Sequence, residues 1–189
     1  MNSILRTAAT IGIACFSALL FHPTEARAQA TTLQSFLELG DIKGEATTVG
    51  HKNQIEVISF GSGVELPAVQ TGGGVGKPQF YEVTVTKNVD KASPLLSIYC
   101  VTGKITPTAT LTTARINSAG VQDFFKIVLT NVSVTRVAAA GQSGKGGELS
   151  EQLSLGFQKI QWIYTTYNEA GAPTGTITKG FDLKSNTPF

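Results

Sequence analysis

Between residues 29 and 189 the chain has one histidine, His51, and one cysteine, Cys100, and that scarcity limits the chemistry it can do. One His and one Cys cannot complete an ordinary structural zinc site, which takes four ligands. A Ser-His-Asp triad would have to recruit His51, which sits in a polar segment without a nucleophile motif beside it. Other candidates fail on spacing. Phe60-Gly61-Ser62-Gly63 lacks the Gly-x-Ser-x-Gly order of a nucleophile elbow. Gly76-Lys77 suggests a phosphate cradle, but a P-loop needs Gly where Thr71 stands and Ser or Thr where Pro78 stands. It also needs a helix N-terminus to receive the phosphate, and the run from Phe80 reads as a strand. Glu148 and Glu151 lie at a hairpin end and read as solvated charges, and Cys100 reads as a small buried apolar residue. Asn131-Val132-Ser133 matches a glycosylation acceptor, placed between two strands. No catalytic residue, metal ligand or cofactor site is expected.

The elements that position these residues are mostly strands. Alternation predicts strands over 32–39, 54–60, 80–86, 105–116, 122–130, 132–138, 148–167 and 175–183. Polar, Gly-containing stretches separate them: 43–53, 67–77, 118–120, 141–147 and 168–171. The most informative run is Leu153–Tyr164. Leu153, Leu155 and Phe157 alternate on one parity, and Ile160, Trp162 and Tyr164 on the other. Side chains on a strand have period two, so one flat strand cannot keep both sets facing one core. A bulge near Gln158–Lys159 would re-aim the strand and let it bend around a barrel.

One helix is expected. Ser93 is a good N-cap, Pro94 fits the first helical position and Gly103 supplies a stop. Leu95, Ile98, Tyr99 and Val101 would form its buried face, because so short a helix must dock on the sheet. Thr106, Thr108, Thr110 and Thr112 give one strand face suited to water or a polar subunit contact. The expected fold is therefore mainly β, an antiparallel β-barrel with one short flanking α-helix.

Residues 1–28 read as a secretory signal peptide. Arg6 precedes the apolar run Thr7–Phe21, and Ala26-Arg27-Ala28 and Ala28-Gln29-Ala30 offer cleavage after Ala28 or Ala30. That run is short of the roughly 20 residues needed to span a membrane. Residues 29–189 then suit a single domain carrying 13 basic and 12 acidic side chains. Such a balance gives no basic stripe for nucleic acid, and no membrane association is expected after cleavage.

An ordered set of segments resembles a known family. It comprises Phe36–Glu45, His51-Lys52, Gln54–Phe60, Ser93-Pro94-Leu95-Leu96, Gly103-Lys104-Ile105, Ile127–Val134 and Glu148–Tyr164. Together these resemble Hcp, the tube protein of bacterial type VI secretion systems, over nearly all of residues 29–189. The resemblance implies a non-enzymatic β-barrel that forms homohexameric rings, with the rings stacking into a hollow tube whose lumen carries small effectors. It also implies that the 43–53 segment is an extended loop touching neighbouring subunits and stacked rings. Lys43, Gly44, Glu45, His51 and Lys52 are the oligomer-interface candidates, set against the simpler reading of exposed loop residues. A leader departs from the family's pattern of cytoplasmic assembly, so a secreted or periplasmic location is expected. Cytoplasmic assembly followed by type VI secretion is the alternative location, and an exported β-barrel binding module the alternative function.

Overall fold

The computed structural model describes residues 31–67, 76–142, 144, 147 and 149–189. The expected leader over 1–28 and the Gly72–Gly74 run lie outside them. The elements are β1 (Thr32–Leu39), β2 (Ile55–Val57), β3 (Ser59–Gly61), β4 (Val64–Glu65), β5 (Gln79–Phe80), β6 (Val83–Asn88), α1 (Ser93–Thr102) and β7 (Ile105–Asn117). They continue with β8 (Gly120–Gly141), β9 (Leu149–Gly156), β10 (Lys159–Tyr167), β11 (Pro173–Asp182) and β12 (Thr187–Pro188).

All pairings are antiparallel, and β8 is the branch point. The main path runs β12-β11-β10-β8-β7-β1-β2, while the second half of β8 pairs β9, which leads to β6 and β3. The expected closed barrel does not form as such. Strands β2 and β3 share no ladder; they are separated by Ile58, whose N–H donates to Thr86 O at 2.8 Å. The sheet therefore curls around the core until the chain itself spans the seam. From the branch at β8, β11 and β12 extend beyond β10, with Phe181 packed against the core and against Phe80.

The parity change is real, and it is shared by two strands. Leu153, Leu155 and Ile160 are all buried, and across the ladder so are Ile127, Leu129, Val132 and Val134. Both strands change phase at the same place while the register holds, with Thr130 opposite Lys159 and Ser133 opposite Gly156. Asn131 takes φ 51°, a left-handed conformation that asparagine tolerates better than most residues. Its side-chain amide donates to Gln158 Oε1 at 2.9 Å, and Gln158 N–H donates to Thr130 O. The strand break falls at Phe157–Gln158 rather than Gln158–Lys159. Segments 122–130 and 132–138, expected as two strands, are one long β8 bent at Asn131.

Helix α1 ends as expected, with Gly103 at φ 63° and its N–H on Cys100 O. Its start differs. Ala92 is the N-cap, and Ser93 lies inside the helix with its side chain turned to the sheet. The buried residues are Ser93, Leu96 and Tyr99, whereas Leu95, Ile98 and Val101 face solvent at 39, 54 and 79% exposure. Of the expected face Tyr99 alone is buried, because Ser93 docks on the sheet and fixes the helix rotation. The threonine face is also divided. Thr106 and Thr112 are buried, the first against Gly40 and the second opposite Phe36, while Thr108 is exposed.

Candidate functional site

The 43–53 segment folds into a compact tongue. Gly44 N–H donates to Asn53 O at 2.8 Å, Ala46 N–H to Gln54 O at 3.0 Å and Asn53 N–H to Ala46 O at 2.9 Å. Gly44 has to be glycine, because a Cβ there would lie 2.4 Å from Gln54 O and 2.5 Å from Ile55 Cα. The tongue lies over the outer face of the sheet. Phe36 points away from Leu37 and Leu39, and is buried in a second small cluster with Ala46 and Ala114.

His51 closes this cover. Its ring stacks on Phe36 with centroids 4.1 Å apart and planes 4° from parallel. Nε2 lies 2.9 Å from Asp123 Oδ1, and Nδ1 lies 2.8 Å from Gln54 Oε1. Asp123 also binds Lys126 Nζ at 2.9 Å through Oδ2, and its backbone carbonyl accepts from Tyr167 Oη at 3.0 Å. Burial pushes the Asp123 carboxyl upward, but the hydrogen bonds and charges of Lys126 and His51 outweigh it and leave the group below its usual range. A His-Asp pair is two-thirds of a triad, yet the far nitrogen meets an amide oxygen, which is no nucleophile. The ring is also only 4% exposed.

The interface candidates therefore divide in two. Lys43, Glu45 and Lys52 point outward; Gly44 and His51 are buried and shape the tongue from inside. The reading of His51 as solvated is overturned by its stacking on Phe36. Val49, at the tip, is 82% exposed.

A second polar cluster was missed. Lys87 on β6 is fully buried, and its Nζ donates to Glu151 Oε1 at 2.7 Å, Asp90 Oδ1 at 2.7 Å and Asn88 O at 2.6 Å. Ser93 Oγ donates to Glu151 Oε1 at 2.7 Å and accepts from Asp90 N–H at 3.0 Å. Glu151 is thus buried, not the solvated hairpin charge expected from the sequence. The signal was present as alternation. Lys87 continues Val83 and Val85, and Glu151 precedes Leu153 and Leu155, so both share the parity of the core. Among the described residues, no three His, Cys, Asp or Glu side chains gather as a metal site.

Beside the base of the tongue lies a cleft of about 300 Å³, lined by Leu33, Val57, Ile58 and Val89 and by the carboxylates Glu45, Glu56 and Asp90. Asp90 is neutralised by Lys87; Glu45 and Glu56 form no ion pair with any described residue.

Known proteins share this fold. A family model described as "Type VI secretion system effector, Hcp" matches residues 36–164. Protein hcp1 of Pseudomonas aeruginosa is 30% identical over 155 residues, covering 80% of this chain and 95% of its own. A solved type six secretion system protein superposes with a TM-score of 0.77 at 25% identity, over 84% of this chain and all of that one. Hcp1 from Salmonella typhimurium gives a TM-score of 0.68 at 28% identity, over 83% and 99% of the two chains. With most of its length matched in sequence and in fold, the chain belongs to the Hcp family of type VI secretion tube proteins.

Proposed function

We propose that the chain is a non-enzymatic structural subunit that assembles into homohexameric rings, and that these rings stack into a hollow tube able to carry small effector proteins. One observation carries the reading. A chain of this family leaves large apolar side chains uncovered on separate surfaces: Val49 at 82%, Val101 at 79% and Ile177 at 65% exposure. Bare apolar side chains on the tongue tip, the helix and β11 suit a subunit with several neighbours, and the match to the tube family over most of the chain supports that reading. In this reading Lys43, Glu45 and Lys52 contact neighbouring copies, and Gly44 and His51 hold the tongue that presents them.

Light scattering of the chain as processed by its host tests the proposal. A mass six times that of the monomer is expected at micromolar concentration, whereas monomer alone up to about 100 µM would favour the exported binding module instead. The leader layout further supports export. N-terminal sequencing after cell fractionation should find a start at Gln29 or Thr31 outside the cytoplasm. An intact Met1 in the cytoplasm would return assembly to that compartment.

A further inference from the structure

Both ring nitrogens of His51 meet oxygen acceptors. Nε2 lies 2.9 Å from Asp123 Oδ1, and Nδ1 lies 2.8 Å from Gln54 Oε1. A neutral imidazole has one N–H and one lone pair, so it donates to one of these oxygens and turns its lone pair on the other. The imidazolium donates to both. Turning the Gln54 amide over would relieve the neutral ring. Gln54 Nε2, however, donates to Glu38 Oε2 at 3.3 Å, and the turned amide would set its oxygen against that carboxylate. Water cannot stand in for the missing bond, because the ring is only 4% exposed. Phe36, parallel to the imidazole at 4.1 Å, also offers the aromatic face that attracts a cation.

The charged and titratable groups that face this ring come from three strands. Strand β8 supplies Asp123 and Lys126, and β10 supplies Tyr167, whose hydroxyl donates to the Asp123 carbonyl. Strand β1 supplies Glu38, behind Gln54. Lys126 takes Oδ2 of the aspartate and leaves Oδ1 to the ring. The Asp123 carboxyl, held below its usual range, stays ionised across the span of about pH 5–8 in which imidazoles titrate. We infer that His51 is a proton-operated latch: the tongue is clamped to the sheet while the ring carries both protons, and it loosens when the ring gives one up. A closed form that fits the charged ring has its full advantage below about pH 6.5, the value of a free imidazole, and loses it as pH rises beyond. Lys43, Glu45 and Lys52 ride on the tongue, so the proton governs how firmly they are presented. The latch is made within one copy and does not depend on ring formation.

Amide exchange over residues 43–53 of the full chain tests this between pH 6 and pH 9, read as protection relative to a free peptide. The wild type should lose about tenfold in protection over that span, the worth of one hydrogen bond to a charged group, while β6, β8 and β9 hold theirs. Gln54→Met removes the acceptor at Nδ1, so the neutral ring fits and the loss should shrink to about threefold or less. His51→Phe keeps an aromatic ring against Phe36 but has no proton to lose, and its tongue protection should be flat to within about twofold. A flat wild type, an undiminished loss in Gln54→Met, or a loss of wild-type size in His51→Phe would overturn the latch. Dilution by about tenfold separates it from contacts between copies. An unchanged slope supports the latch, and a slope that vanishes on dilution would assign the effect to neighbouring subunits instead.

Discussion

Two polar clusters hold this fold together, one inside the ladder and one outside it. Lys87 and Glu151 sit directly opposite each other on β6 and β9 and are 0 and 2% exposed at the side chain. His51 and Asp123 join a loop to the sheet, and the aspartate side chain keeps 27% exposure. The chemistry is alike, a nitrogen donor against a carboxylate, but the surroundings differ. At Lys87 every polar atom finds its partner within protein, so removing one strands the others in a medium that cannot solvate them. At Asp123 both Lys126 and water remain when His51 is lost. The first cluster should therefore act on the whole fold and the second on the tongue alone.

Glu151→Ala breaks the comparison most severely. It removes the main acceptor of Lys87 and of the Ser93 hydroxyl, so a loss of about 3–5 kcal/mol in urea unfolding is expected. Replacing all three charges, Lys87→Met with Glu151→Leu and Asp90→Asn, should recover all but about 1–2 kcal/mol, because a buried ionic cluster stabilises little over uncharged side chains of similar size and the asparagine amide oxygen can still accept from Ala92 N–H. A triple variant as unstable as Glu151→Ala would show that the cluster contributes more than mutual neutralisation.

How legible each cluster was follows from the same contrast. The ladder cluster was open to strand alternation, since Lys87 and Glu151 occupy inward positions among valines and leucines. What alternation could not supply was the pairing of β6 with β9 or the docking of Ser93 between them, which also decided which face of α1 points inward. The phase change at Leu153–Tyr164 is legible in the sequence as a bend. Its counterpart across Ile127–Val134 carries the same parity break, but in the sequence Asn131 reads as a gap between strands. The tongue was least legible. Nothing periodic in 43–53 says that His51 folds back onto Phe36, because that contact depends on Phe36 facing away from the main core and needing a cover. The resemblance to Hcp located the segment, and only the packing separated Lys43, Glu45 and Lys52 from Gly44 and His51.

His51→Ala sharpens the comparison from the other side. It removes a buried ring stacked on Phe36 and one of the two cationic or donor partners of Asp123, at a cost of about 2 kcal/mol. The readout should be local. Amide exchange and proteolysis should accelerate within 43–53 while the strands β6, β8 and β9 keep their protection. Loss of protection across those strands as well would mean that the tongue is part of the global folding unit.

The smallest effect is the acid response of Asp123, and its sign follows from its neighbours. Lys126 and His51 more than offset the rise due to burial, so the folded carboxyl lies below the ordinary value of 3.8. A group held lower in the folded state favours folding when ionised. Its contribution is complete above that ordinary value and is lost as pH falls through the lowered one. Asp41, lowered chiefly by the Tyr99 hydroxyl, and Asp182, lowered chiefly by Lys159, act in the same window elsewhere on the surface. A global acid unfolding curve therefore mixes all three, and exchange must be read at tongue amides. Between about pH 5 and pH 2 those amides should lose protection in the wild type before the strands do. In Asp123→Asn they should be looser at pH 5 and almost flat below it. If both chains fall with the same slope, the acid sensitivity of the tongue arises somewhere other than Asp123, and the latch depends on the stacking of His51 on Phe36 more than on charge.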